Sequence, residues 1–103
     1  MVVHFTGRLC KIEKIKTIAK KNNLLLIEDS AQSYGSHLNG KMSGSFGNVG
    51  CFSMNPMKVF PSYGEAGVIT VNNEKLKDDL VSLRYAGTIN KEDCHIPSNN
   101  ARI

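Results

Sequence analysis

Four polar side chains stand where an α/β protein would place chemistry. Asp29 follows the apolar run Leu24-Leu25-Leu26-Ile27, with Glu28 beside it. An acid at the carboxyl end of a buried strand lies where open α/β sheets bind ligands. There it can pair with a cationic ring nitrogen, bind a metal, or cap the turn that begins at Ser30. Gln32 shares a face with Asp29 if Ser30 opens a helical turn; otherwise it is an ordinary surface amide. Lys58 lies in Met54-Asn55-Pro56-Met57-Lys58-Val59-Phe60-Pro61, among apolar side chains and between two prolines. A lysine in that setting is a candidate nucleophilic amine that forms Schiff bases. The alternative is a packed stem with the ammonium in water. Ser53, at a strand end beside a glycine-rich stretch, can hydrogen-bond a phosphate.

The elements that must position these residues can be read from hydrophobic spacing. Residues 2–5 are a short β-rich run broken by Gly7. Leu9, Ile12, Ile15, Ile18 and Ala19 form one stripe of an amphipathic helix from Leu9 to Lys21, and Asn22-Asn23 provides its stop. The unalternating run Leu24–Ile27 predicts a strand covered on both faces, parallel to the first in a βαβ unit. Asn39-Gly40 marks a small hairpin over residues 36–42. Val49–Met54 is a strand, residues 55–67 a loop, and Val68–Val71 a further strand. Asn72 or Asn73 caps a helix over Glu74–Arg84, whose stripe is Leu76, Leu80 and Leu83. Residues 88–103 show no clear period. The fold class predicted is α/β.

Composition excludes several functions. The chain has 103 residues, 41% of them hydrophobic, with 13 Lys+Arg against 9 Asp+Glu and a net charge of +4. No apolar run approaches the ~20 residues of a membrane span, and the start lacks the pattern of a secretory signal. Cys10, Cys51 and Cys94 are odd in number and far apart, which argues against a disulfide framework or zinc site and for a reducing cytoplasm. His4, His37 and His95 have no metal-ligand spacing, and we read them as structural or exposed. Lys11, Lys14, Lys16, Lys20 and Lys21 have no interleaved aromatics, so they read as a solvated helix face and not a nucleic-acid site.

Taken together, Glu28-Asp29-Ser30-Ala31-Gln32, the segment from Gly47 to Lys58, and Gly64-Glu65-Ala66-Gly67 resemble the DegT/DnrJ/EryC1/StrS aminotransferase family. Its pattern reads E-D-x-A-Q, G-x-x-G-x-F-S-x-x-P-x-K, G-[DE]-x-G. The resemblance implies an enzyme that uses pyridoxal 5'-phosphate (PLP) on nucleotide-linked keto sugars. It implies that Lys58 forms the Schiff base with PLP and shuttles protons, and that Asp29 pairs with the pyridine nitrogen. Gln32 would lie near the ring's phenolic oxygen, and Ser53 would bind the phosphate. Ser98-Asn99-Asn100-Ala101-Arg102-Ile103 is similar to the family's G-x-N-Y-R-[ML], with Ser98 for Gly and Ala101 for Tyr. Asn100 would then reach the phosphate in a neighbouring subunit. Some family members are dehydratases with histidine at the lysine position, so Lys58 implies transamination.

The implied fold is part of the three-layer α/β/α large domain of a fold-type-I transferase. Residues 1–103 would be its central segment, with the N-terminal part and the C-terminal small domain outside this chain. The abrupt ends at Val2 and Ile103 fit that expectation. The chain alone is then expected to be inactive and to bind PLP weakly. Further implied are ping-pong chemistry with glutamate as amino donor, amino-sugar synthesis for bacterial surface polysaccharide, a cytoplasmic homodimer, and neither nucleic acid nor membrane as partner. The rival reading is a non-catalytic α/β module, or a dimerisation partner of a complete paralogue.

Overall fold

A computed structural model describes residues 1–84 and the backbone of two short strands, Thr88–Ile89 and Asp93–Cys94. The chain divides into two compact units, Met1–Asn72 and Asn73–Ile103; Asp29, Gln32, Ser53 and Lys58 all belong to the first.

The first unit begins with β1 (Val2–Val3) and helix α1 (Ile12–Lys21). Strand β2 (Ile27–Asp29) follows, then a hairpin of β3 (His37–Leu38) and β4 (Lys41–Met42). Strands β5 (Val49–Ser53) and β6 (Gly67–Val71) complete the unit. The main sheet has the order β1-β2-β5-β6. The first three strands are parallel, and β6 runs antiparallel to β5. Their register sets Asp29 beside Val3 on one side and Cys51 on the other. This is the expected βαβ unit, and the class is α/β.

The core gathers Ile12 and Ala19 of α1 with Leu26 and Phe46; Val2, Leu9, Cys10, Ile15 and Leu38 pack around them. Burial of these apolar groups is the main force that holds α1 on the sheet. Ile18, placed on the apolar stripe by spacing, is instead 59% exposed. The helix starts at Ile12, later than the expected Leu9, and β1 ends at Val3, before residues 5–7 form a 3-10 turn. Asn39-Gly40 turns the hairpin as predicted, with φ of 51° and 75°, the positive values a type I′ turn requires.

The largest correction concerns Leu24–Ile27. Asn23 takes a left-handed φ of 51°, and the Leu24 N–H donates to the Ala19 carbonyl at 2.9 Å while Asn23 N–H donates to Lys20 at 3.3 Å. These two bonds form a Schellman cap on α1. They use Leu24 to finish the helix, so Leu24 and Leu25 stay exposed and the ladder starts only at Ile27. Leu26 is held by Asn48, whose side-chain Oδ1 accepts from Leu26 N–H at 2.8 Å.

In the second unit α2 spans Glu74–Arg84 as predicted. Asn73 caps it, Oδ1 accepting from Leu76 N–H at 2.9 Å, which satisfies one of the helix's free amino-terminal donors. The strands Thr88–Ile89 and Asp93–Cys94, numbered β7 and β8, pair antiparallel. Among the described residues, no helix is long and apolar enough to cross a membrane.

Candidate functional site

The site forms where β2 and β5 end. Asp29 is the last residue of β2 and is half-buried. One carboxylate oxygen, Oδ1, accepts from Ala31 N–H at 3.1 Å. The capping alternative is therefore realised, but it engages only one of the two oxygens. The next residues leave the sheet in successive turns, with Ser30 N–H donating to Cys51 at 2.8 Å and Ser33 N–H to Ser30 at 3.1 Å. These turns carry Gln32 back towards residue 6. There the Thr6 N–H donates to Gln32 Oε1 at 2.9 Å. That bond fixes which end of the amide is occupied and leaves the Gln32 NH2 as a donor. Thr6 holds a left-handed φ of 53°, a costly conformation for a β-branched residue.

Lys58 lies in the loop between β5 and β6. Asn55 builds the turn that presents it: its carbonyl accepts from Lys58 N–H at 2.8 Å. Its Oδ1 accepts from Met57 N–H at 2.9 Å, with Pro56 between them presetting the backbone. Asn55 Nδ2 also donates to Glu65 at 2.6 Å, and Met54 N–H donates to Ala66 at 2.8 Å, which ties both ends of the loop together. Lys58 is half-buried. It lines a cavity of about 270 Å³ together with Thr6, Ala31, Gln32, Met57 and Val59.

The fold thus brings Gln32 and Lys58 into one cavity. Asp29 and Ser53 sit at the carboxyl ends of β2 and β5 but do not line it. Ser53 Oγ makes a long contact, accepting from Asn55 N–H at 3.4 Å, and among the described residues its own proton has no acceptor. Asn100 lies outside the described residues. A larger cavity of about 440 Å³, bordered by α1 and Leu24–Leu26, contains none of the four.

Cys51, the register partner of Asp29, has its thiol pushed up from the ordinary range, first by burial and then by the negative charge of Asp29. Two further features escape a reading of the sequence. His4 and Glu28 are fully buried and paired, Nε2 donating to the carboxylate at 2.9 Å. Glu28 also accepts from the N–H groups of Gly44 at 2.9 Å, Phe46 at 2.7 Å and Gly47 at 2.5 Å. The Cys10 N–H donates to His4 Nδ1 at 3.3 Å, which assigns the proton to Nε2. Glu28 is thus the anchor of the 44–47 loop, while its neighbour Asp29 caps the turn that leads to Gln32. Tyr34 is the second feature: its ring stacks on Phe60 of the lysine loop at 4.2 Å.

Residues 1–102 match the family model of the DegT/DnrJ/EryC1/StrS aminotransferase family. A dTDP-3-amino-3,6-dideoxy-alpha-D-galactopyranose transaminase from Aneurinibacillus thermoaerophilus is 42% identical over all of this chain and 28% of its own length. A solved family aminotransferase from Brucella abortus superimposes with a TM-score of 0.82 at 33% identity, covering 94% of this chain and 26% of that one. The E. coli GDP-4-keto-6-deoxy-D-mannose-3-dehydratase, solved with bound hydrated PLP, gives a TM-score of 0.77 at 27% identity over 87% of this chain and 23% of its own. The chain therefore spans about a quarter of the length of the relatives it matches.

Proposed function

The chain belongs to the DegT/DnrJ/EryC1/StrS aminotransferase family, and from that premise we propose that it carries the cofactor-lysine segment of a PLP-dependent sugar aminotransferase. The reaction would move an amino group from glutamate to a keto sugar on a nucleotide carrier, in cytoplasmic synthesis of amino sugars for a surface polysaccharide. Residues 1–103 would be the central segment of the large domain of a homodimer.

The observation that carries this reading is the cavity shared by Gln32 and Lys58, beside the strand end that bears Asp29. The donor set suits PLP: an amine and, among the described residues, a carboxylate with one oxygen uncommitted, an amide with its NH2 uncommitted and a hydroxyl with a free proton. When bound, the cofactor supplies an aldehyde that captures amines and a ring that takes up the electron pair of a deprotonated carbon. Lys58 Nζ would hold it and then carry the proton between the nitrogen-bearing carbon of the substrate and the former aldehyde carbon of the cofactor. Asp29 would keep the ring nitrogen protonated, and Gln32 Nε2 would donate to the ring oxygen. Ser53 Oγ would donate to the phosphate, and Asn100 would serve the neighbouring subunit.

The Lys58→Ala variant tests the assignment. In a full-length protein that carries this segment we expect it to abolish glutamate-dependent amination of a nucleotide-linked keto sugar, while Lys41→Ala leaves the activity intact. Turnover that survives the loss of Lys58 would overturn the reading.

A further inference from the structure

Gln32 and Lys58 both line the cavity, one from the turn after Asp29 and one from the loop after β5. Two residues beyond each lies an aromatic ring, and those two rings meet. Tyr34 and Phe60 are stacked with centroids 4.2 Å apart and planes inclined by 11°. The other contact of Tyr34 is edge-on to Phe52, at 6.1 Å and 79°. Phe52 lies in β5 and is buried. Three rings therefore link the central sheet, the turn after Asp29 and the loop that presents Lys58.

Among the described residues, no hydrogen bond joins residues 55–60 to residues 29–36. The hydrogen bonds of the lysine loop run within it or to its own base, from Lys58 to Asn55, from Asn55 to Glu65, and from Ser62 to Met54. Nor does the Tyr34 hydroxyl have a hydrogen-bond partner among the described residues. The contact is made by the ring face.

We propose that Tyr34 is a positioning residue for Lys58, its ring clasping the lysine loop against the turn that carries Gln32 and so holding Lys58 beside Gln32 in the cavity. The proposal rests on the reading of Lys58 as the cofactor lysine. Stacked aromatic pairs favour offset, near-parallel faces at this separation and resist lateral slip. A loop that, among the described residues, has no hydrogen bond to the turn should open when the ring is removed.

The test uses the chain incubated with PLP, reduced with borohydride and digested. The pyridoxyl group on Lys58 is quantified against that on Lys14, an exposed lysine of α1, in the same digest. The Lys58:Lys14 ratio should fall about three- to tenfold in Tyr34→Ala and in Phe60→Ala, and stay within about twofold of wild type in Tyr34→Phe. The double variant Tyr34→Ala/Phe60→Ala should fall no further than either single one, because both remove the same contact. Thermal unfolding of each variant is followed in parallel. Tyr34→Leu, which keeps bulk without a face to stack, should lower the ratio as Ala does if Tyr34→Ala fails to fold. A merely structural role would not move a ratio taken within one folded chain, nor would Phe restore it.

An unchanged ratio on loss of the ring, a loss in Tyr34→Phe, or additive losses in the double variant would overturn the proposal alone. A wild-type chain with no preference for Lys58 would overturn the reading of Lys58 and the proposal with it.

Discussion

Adjacent residues on one short strand divide two tasks between them. Glu28 turns inward and is satisfied by four donors, whereas Asp29, beside it, spends one oxygen on Ala31 and has no other hydrogen bond among the described residues. The alternation of a strand places them on opposite faces. Asp29 also acts across the ladder on Cys51. The thiols of Cys10 and Cys51 are both held above the ordinary range, by burial first and then by Glu28 and Asp29 respectively. The thiolate is the form that alkylates, so labelling by iodoacetamide should rise at higher pH for both than for a cysteine in a short peptide. Asp29→Asn removes a negative charge, stabilises the Cys51 thiolate and should move the Cys51 midpoint back towards lower pH while leaving that of Cys10. Midpoints at or below the peptide value, or a Cys51 profile indifferent to Asp29, would contradict this account of the strand pair.

At the scale of elements, β5 fits closely against the 44–47 loop that Glu28 anchors. A Cβ at Gly50 would lie 2.5 Å from both Gly44 Cα and Thr70 Oγ1. Thr70 Oγ1 in turn donates to the Gly44 carbonyl at 2.8 Å. Gly50→Ala would drive the loop from the strand and pull the Gly44 N–H from Glu28. We expect a loss of about 1–3 kcal/mol, read as a lower denaturant midpoint in chemical unfolding. An unchanged midpoint would show that the loop yields without cost. Gly44 itself has a φ of 77°, so it is not free to accept a side chain in exchange.

Across the molecule, what could be read from sequence and what could not differ in range along the chain. The Asn39-Gly40 turn, the helix over Glu74–Arg84 and the proline-framed Lys58 loop are local, and their residues announce them. Leu24–Ile27 misled because an apolar run says nothing of which residue the preceding helix will take as its cap. The partners of Gln32, Glu28 and Phe60 escaped for another reason. Thr6 meets Gln32 and His4 meets Glu28 across more than 20 positions. Such meetings are fixed by the register of strands only two to five residues long, too short to carry a periodic signal. Asp29, Gln32, Ser53 and Lys58 were all nameable in advance, but the cavity that unites two of them, and the Tyr34–Phe60 stack beside it, follow only from the assembled sheet. The most direct measurement of the central claim is the position of the pyridoxyl group after PLP is bound and reduced in place. Peptide mass spectrometry should find it on Lys58 in preference to the exposed lysines of α1, and Lys58→Ala should leave no preferred site. Equal labelling of Lys58, Lys14 and Lys20 would contradict the assignment of Lys58 as the cofactor lysine.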